Sequence, residues 1–372
     1  MAAAERAVAR IDLGAVERNC AHLKSRLERG AELCAVVKAD GYGHGADGCA
    51  SAALAGGATW LAVATGREAE QIGRRFPEIP LLTMGALTPH ELDLALDAGS
   101  EVTVWREGFR RLVSERARAM GRPARVHVKH DSGMGRLGAT DPDDVVALVD
   151  AATGDPHLRV AGLWTHFATA DEPDSDYFDE QLARFAPLAQ RVKGEHPEIV
   201  VHAANSAALF RDSAAHFDMA RCGIAVYGLD PFHEDPAKRG LEPALSLHSY
   251  VADVKRFPAG ASAGYGRTWQ ASSDTWLGVL PVGYGDGVRR GLSNNAEVLV
   301  RGRRRPLVGT VSMDNLTIDL GPQTDVEPGD PAVLIGSQGD ELILAEEMAR
   351  RLGTINYEVT CGISPRVPRE TV

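Results

Sequence analysis

The chain has no CxxC pair, no histidine and cysteine spacing of the kind that ligates a metal, and no apolar run long enough to span a bilayer. Its five cysteines, Cys20, Cys34, Cys49, Cys222 and Cys361, are odd in number and widely separated. That usage fits a reducing cytoplasm rather than a disulfide frame. A basic surplus is missing as well: the formal net charge is −11, whereas binding nucleic acid needs a concentrated basic face. The one dense basic run, Arg301-Gly302-Arg303-Arg304-Arg305, stands between two strand-like stretches and reads as a solvated hairpin turn. Met1 to Val8 carries Glu5 and Arg6 with no apolar core behind them, so no leader is expected. These absences leave a cytoplasmic protein with no metal, no nucleic-acid partner and no membrane partner.

Across 372 residues, apolar and charged fractions of 44% and 24% describe an ordinary globular enzyme, and the length suggests two domains. From Leu13 the apolar positions step by three and four through Leu27, a helix with one buried face. Strand and helix patterns then alternate. Strands are expected over 33–39, 59–64, 80–84, 101–105, 125–130, 159–166, 199–204 and 218–221. Between them lie helical stretches such as Pro142 to Ala152 and Tyr177 to Lys193. Thr88-Pro89-His90-Glu91 carries a helix-start signature. Eight such alternations match a (β/α)8 barrel, with a doubly wound sheet as the competing architecture. The barrel is preferred because Lys38, Lys129, Asp131, His166, Asn205, Ser206 and Arg221 all fall at strand C-termini, which a barrel gathers at one mouth. Near Leu241 the texture turns to alternating stretches with turns, interrupted by one helix near Leu344 to Leu352. The expected division is a barrel over 1–239 and a mostly β domain over 240–372.

Lys38 ends the apolar run of Ala35-Val36-Val37-Lys38-Ala39-Asp40-Gly41-Tyr42-Gly43-His44-Gly45. Desolvation there favours the neutral amine, the form that builds a Schiff base with a carbonyl; the bland alternative is a lysine reaching into water. Gly133-Met134-Gly135-Arg136-Leu137-Gly138 is a GxGxxG string after a strand. It follows four earlier strands instead of opening the first βαβ unit, so an NAD-dependent oxidoreductase ranks low. His166 lies in an apolar strand, where a satisfied core role is the ordinary reading, and Arg221, if buried, must be paired. Asn205-Ser206 can cap a helix or meet an anion. Gly264-Tyr265-Gly266, Val311-Ser312-Met313-Asp314 and Ile355-Asn356-Tyr357-Glu358 punctuate the second domain, and each taken alone reads as structural.

Together these motifs resemble the alanine racemase family across nearly the whole chain. AVVKADGYGHG is similar to the family's cofactor-lysine motif, VHVKHDSGMGRLG to its fifth-strand motif and MARCGIAVYG to its eighth-strand motif. GYG, VGTVSMD and INYEV match its second-domain motifs. The resemblance implies a pyridoxal 5'-phosphate enzyme, a barrel plus β-domain homodimer with shared active sites, acting on a small amino acid by a two-base mechanism. Lys38 would hold the cofactor and serve as one base, and Tyr265 would reach in from the partner subunit as the other. A free tyrosine has a pKa of about 10, so its use as a base needs cationic neighbours, which His166 and Arg221 would provide. Tyr42, Asn205, Ser206, Gly223, Ile224 and Tyr357 would hold the phosphate end, and Arg221 would face the pyridine nitrogen. Arg136, Met313 and Asp314 would meet the substrate. Lys129 is similar to a family lysine that is often carbamylated and orients Arg136; its alternative is an unmodified Lys129 paired with Asp131. The expected reaction is interconversion of L- and D-alanine for a need such as cell-wall synthesis. The runner-up is a serine or broader amino-acid racemase, and a non-catalytic pyridoxal phosphate carrier is more remote.

Overall fold

The computed structural model describes residues 5–28 and 30–372. The reading of the chain start as leaderless falls in part on residues 1–4, outside the described residues. Two compact units form, one of Val16–Val226 and one of the residues up to Ala15 with Tyr227–Val372. Among the described residues no helix is long and apolar enough to cross a membrane.

The opening strand β1, Ala7–Ile11, was not expected from the sequence. It buries Ala7, Ala9 and Ile11 on one face and belongs to the second unit, where it pairs antiparallel with Leu245–Tyr250 and parallel with Arg369–Thr371. Five residues with three small or β-branched apolar positions carry too weak a period to stand out.

The first unit is a closed parallel barrel of β2 (Glu32–Val36), β3 (Trp60–Val63), β4 (Leu81–Thr83), β5 (Glu101–Val104), β6 (Ala124–Lys129), β7 (Leu158–Trp164), β8 (Val200–His202) and β9 (Met219–Cys222). These are the eight expected strands. Pairing of β2 with β9, Glu32 opposite Met219 through Ala35 opposite Cys222, closes the ring. Leu33, Cys34, Ala35, Leu61, Ala62 and Val63 are wholly buried, because strands covered by helices on one side and by the barrel interior on the other read as continuous apolar runs. The helix at Thr88 starts as its chemistry dictates: Thr88 Oγ1 accepts from Glu91 N at 3.3 Å, Glu91 reaches back to Thr88 N at 3.2 Å, and Pro89 fills the first turn.

The second unit is mostly β. Its main sheet runs Arg303–Pro306, Glu297–Val300, Pro331–Gln338, Leu245–Tyr250, β1 and Arg369–Thr371, and Asp253–Phe257, Thr275–Leu280 and Leu316–Gly321 make a three-stranded sheet. The strand expected over 307–320 forms only from Leu316. Ser312 turns the chain just before it, accepting from Asn315 N at 3.1 Å and donating its own N–H to Asn315 O at 2.9 Å. The basic run divides between a turn at Arg301-Gly302, both at positive φ, and the strand Arg303–Pro306.

Candidate active site

Lys38 leaves β2 into a backbone turn of the rare hand. Ala39, Asp40, Gly41 and Tyr42 have φ of 52°, 51°, 62° and 53°, a run that costs L-residues about 1–2 kcal/mol each. Local bonds hold it. Glu68 Oε1 accepts from Ala39 N at 2.7 Å, Asp40 Oδ1 from Ala46 N at 2.9 Å, and His44 Nδ1 donates to the carbonyls of Gly41 and Tyr42, each at 3.0 Å. The turn presents Lys38 half-buried, with Nζ 5.9 Å from the centre of the Tyr42 ring. At the end of β9, Gly223 has no space for a side chain, since a Cβ would fall 2.2 Å from the Tyr42 hydroxyl. Ser206 Oγ accepts from Gly223 N at 3.1 Å, and Asn205 caps the short helix Ser206–Arg211 through Ala208 N at 2.9 Å. Tyr42, Ser206, Gly223 and Ile224 are all buried.

Arg221 is buried and fully used. Its Nη1 donates to His202 Nδ1 at 2.8 Å, and its Nη2 meets the Thr165 carbonyl at 2.9 Å, the Ala203 carbonyl at 3.0 Å and His166 Nδ1 at 3.3 Å. Burial brings Arg221 down to about 10, which leaves it a cation at neutral pH. Burial, then Arg221, Arg136, Lys129 and Lys38, push His166 well below the usual histidine range, so its imidazole is neutral. Lys129 lies 4.2 Å from the Trp164 ring centre; burial foremost, then Arg136, Arg221 and Lys38 against the opposing pull of Asp131, bring it down to about 7. The Asp131 carboxylate instead accepts from the N–H groups of Gly133, Met134, Gly135 and Arg136 at 2.7–3.1 Å. Burial raises that carboxyl, and the four backbone donors outweigh it and hold it below the usual range. The GxGxxG string is thus a loop wrapped around Asp131. At Gly138, φ is +135° and a Cβ would fall 2.5 Å from Asp131 N.

Sequence reasoning missed the far side of Arg221. His202 Nε2 lies 2.8 Å from His127 Nδ1, and His127 Nε2 lies 2.7 Å from Glu101 Oε2. Glu101 also pairs with Arg125. Arg221 can only donate, so His202 Nδ1 accepts, His202 Nε2–H donates to His127, and His127 Nε2–H donates to Glu101. Burial raises the Glu101 carboxyl, and the bonds from His127 and Arg125 bring it below its ordinary value. The available signal was a titratable residue in each of three buried barrel strands, Glu101 in β5, His127 in β6 and His202 in β8.

In the second unit Tyr265 is 74% and Met313 50% exposed. Thr310 Oγ1 donates to the Tyr265 carbonyl at 2.8 Å, and a cleft of ≈ 360 Å³ is lined by Gly264, Tyr265, Thr310, Ser312, Asn315 and Thr317. Asp314 accepts from Arg366 at 2.7 Å, and Tyr357 packs edge-on to His233 at 6.2 Å.

Residues 11–231 match the alanine racemase N-terminal domain family and residues 244–371 the alanine racemase C-terminal domain family. The chain belongs to the alanine racemase family. It is 43% identical to an alanine racemase of Symbiobacterium thermophilum over 362 residues, covering 97% of this chain and 96% of that one. It is 41% identical to one of Frankia casuarinae over 375 residues, covering 99% and 96%. Among solved structures, the alanine racemase of D-cycloserine-producing Streptomyces lavendulae superposes with a TM-score of 0.94 at 37% identity, covering 100% of this chain and 98% of that one. That of Streptomyces coelicolor gives 0.92 at 40% identity, covering 99% and 98%. The family is one of enzymes, so the chain is an amino-acid racemase with the barrel plus β-domain fold that the motifs implied.

Proposed function

We propose that the protein interconverts L-alanine and D-alanine by a two-base mechanism with pyridoxal 5'-phosphate as cofactor, working in the cytoplasm as a homodimer with shared sites. The observation that carries this reading is the gathering of Lys38, Lys129 and Arg221 at the strand ends of a closed barrel, with Arg221 Nη2 3.3 Å from His166 Nδ1 and both Lys129 and Arg221 over the Trp164 ring. Such a cationic mouth suits a ligand set bringing a phosphate and a carboxylate.

The donor set fits the cofactor. The Tyr42 and Ser206 hydroxyls and the Gly223 and Ile224 amides, opened by a glycine that admits no Cβ, are what a phosphate takes. Asn205 fixes Ser206 by capping its helix, and Tyr357 would add a further hydroxyl. When bound, pyridoxal phosphate supplies a carbonyl that condenses with an amine and a conjugated ring that takes up the electron pair left at the substrate Cα. Arg221 is assigned to the ring nitrogen. As a lasting cation it passes on no proton, which restrains side reactions.

Lys38 Nζ would hold the cofactor and, as a free amine with substrate in place, would take or return the Cα proton on one face. The partner subunit's Tyr265 does the same on the other face through its hydroxyl, in the field of His166 and Arg221. Arg136 holds the substrate carboxylate, joined by the Met313 backbone, with Asp131 shaping the loop that carries Arg136 and Asp314 bonded to Arg366 beside Met313. Exposed Tyr265, Tyr284, Met313 and Ile355 form the apolar supply for the homodimer surface. On this reading residues 1–239 bind the cofactor and residues 240–372 serve the partner's site.

Alanine incubated with the protein in deuterium oxide should acquire deuterium at Cα from either enantiomer. Lys38→Ala should abolish both that exchange and the visible absorbance of bound pyridoxal phosphate. Exchange that survives Lys38→Ala would refute the assignment.

A further inference from the structure

One face of the helix Tyr177–Glu195 reads onto two parts of the proposed site at once. Gln181, wholly buried, accepts from Ala168 N at 2.7 Å through Oε1, while its Nε2 donates to the His166 carbonyl at 3.2 Å and to Ser132 Oγ at 3.3 Å. The amide orientation is forced, since a backbone N–H only donates and a carbonyl only accepts. One turn either side, Tyr177 Oη donates to the Gly133 carbonyl at 2.9 Å and Arg184 Nη1 to the Ser132 carbonyl at 3.1 Å. Ser132 Oγ also lies 2.8 Å from Thr165 Oγ1. Spacing of four and three residues puts Tyr177, Gln181 and Arg184 on one stripe. Ser132 and Gly133 follow Asp131, whose carboxylate fixes the amides through Arg136.

Resting on the roles proposed above for Arg136 and His166, we infer that Gln181 is a positioning residue that ties the carboxylate-binding loop 131–136 to the strand end carrying His166. Every hydrogen-bonding group of its amide is used, two on the backbone either side of Phe167 and one on Ser132. The loop that carries Arg136 and the strand end that carries His166 are therefore coupled through one side chain, in addition to the bonds each makes separately. A residue that only filled space would need none of these bonds.

The test compares wild type, Gln181→Met, which keeps length and volume and removes all three bonds, and Ser132→Ala, which cuts the loop arm together with the Ser132 bond to Thr165 and leaves the other two. Each is loaded with pyridoxal phosphate and assayed with alanine in both directions, with α-deuterated L- and D-alanine as probes of proton transfer. Gln181→Met should raise KM on the order of tenfold in both directions, the scale of a mispositioned charged partner. It should also enlarge the isotope effect for one enantiomer only, that on whose face Tyr265 acts. Ser132→Ala should raise KM and leave both isotope effects unchanged. A purely structural role would lower kcat with the folded, cofactor-loaded fraction and move neither KM nor the isotope effects. If Gln181→Met does not accumulate folded, an unchanged KM in Ser132→Ala overturns the inference by itself. Arg136→Ala is the control on the underlying reading. Unchanged KM there refutes the carboxylate role, whereas a raised KM there with unchanged KM in Gln181→Met and Ser132→Ala refutes the tie alone.

Discussion

Arg221 and Glu101 stand at opposite ends of a buried chain, and the two imidazoles between them have their protons assigned by what each end can do. A guanidinium only donates hydrogen bonds and the carboxylate here only accepts them, so His202 donates toward His127 and His127 toward Glu101. Burial and then Arg221 push His202 well below its ordinary value, as burial and the nearby cations do for His166. Depressed values mean that the unfolded chain binds more protons than the folded one below about pH 6.5, so these groups support the fold above that pH and withdraw support as pH falls. Urea midpoints should therefore drop as pH falls from about 6.5 to about 5. A flat midpoint over that interval would contradict the neutral assignments.

Lys129 carries a second residue-scale expectation. At about 7 a large share of its amine is neutral at physiological pH and able to attack carbon dioxide, the nitrogen gaining a carboxyl group and losing a proton. The resulting anion would face Arg136, a cation that already acts on Lys129. With ¹³C-labelled bicarbonate, the protein should show a carbamate carbonyl resonance that Lys129→Ala lacks. An identical spectrum for the two would leave Lys129 a bare amine.

Among the elements, the left-handed turn at 39–42 is the one built against local preference. Ala39 is exposed at φ 52° and bonds only through its backbone, its N–H to Glu68 and its carbonyl to Gly43 N, both of which glycine keeps, so Ala39→Gly should stabilise the fold by about 0.5–1 kcal/mol in urea titrations. Asp40→Gly should not, because it also removes the acceptor for Ala46 N. Destabilisation by Ala39→Gly would show that the strain is not real. The contrast between this turn and the barrel explains what could be read from the sequence. Eight apolar strands with helices between them were legible because burial on both faces leaves continuous runs such as Leu33–Val37. Capping at Thr88 was legible because its partners are three residues apart. The reversed hand of residues 39–42 was not, since it depends on Glu68, which lies 29 positions from Ala39 along the chain. Glu101, His127, His202 and Gln181 were missed for the same reason: their partners lie 13 to 75 residues distant in sequence. The strand β1 joined the second unit because its partners, Leu245–Tyr250 and Arg369–Thr371, lie at the other end of the chain.

For the molecule as a whole, the proposed chemistry divides the labour between two copies. Lys38 belongs to the barrel, while Tyr265 stands exposed on the second unit, where a tyrosine buried by a second copy has a use and a solvated one has little. Subunits carrying Lys38→Ala and subunits carrying Tyr265→Ala should each make almost no D-alanine from L-alanine. Mixed one to one and allowed to exchange, they should form hybrids in which one site keeps both bases, restoring about a quarter of the wild-type rate for random pairing in a two-fold dimer. Activity in the mixture no higher than in either parent would contradict the shared two-base site.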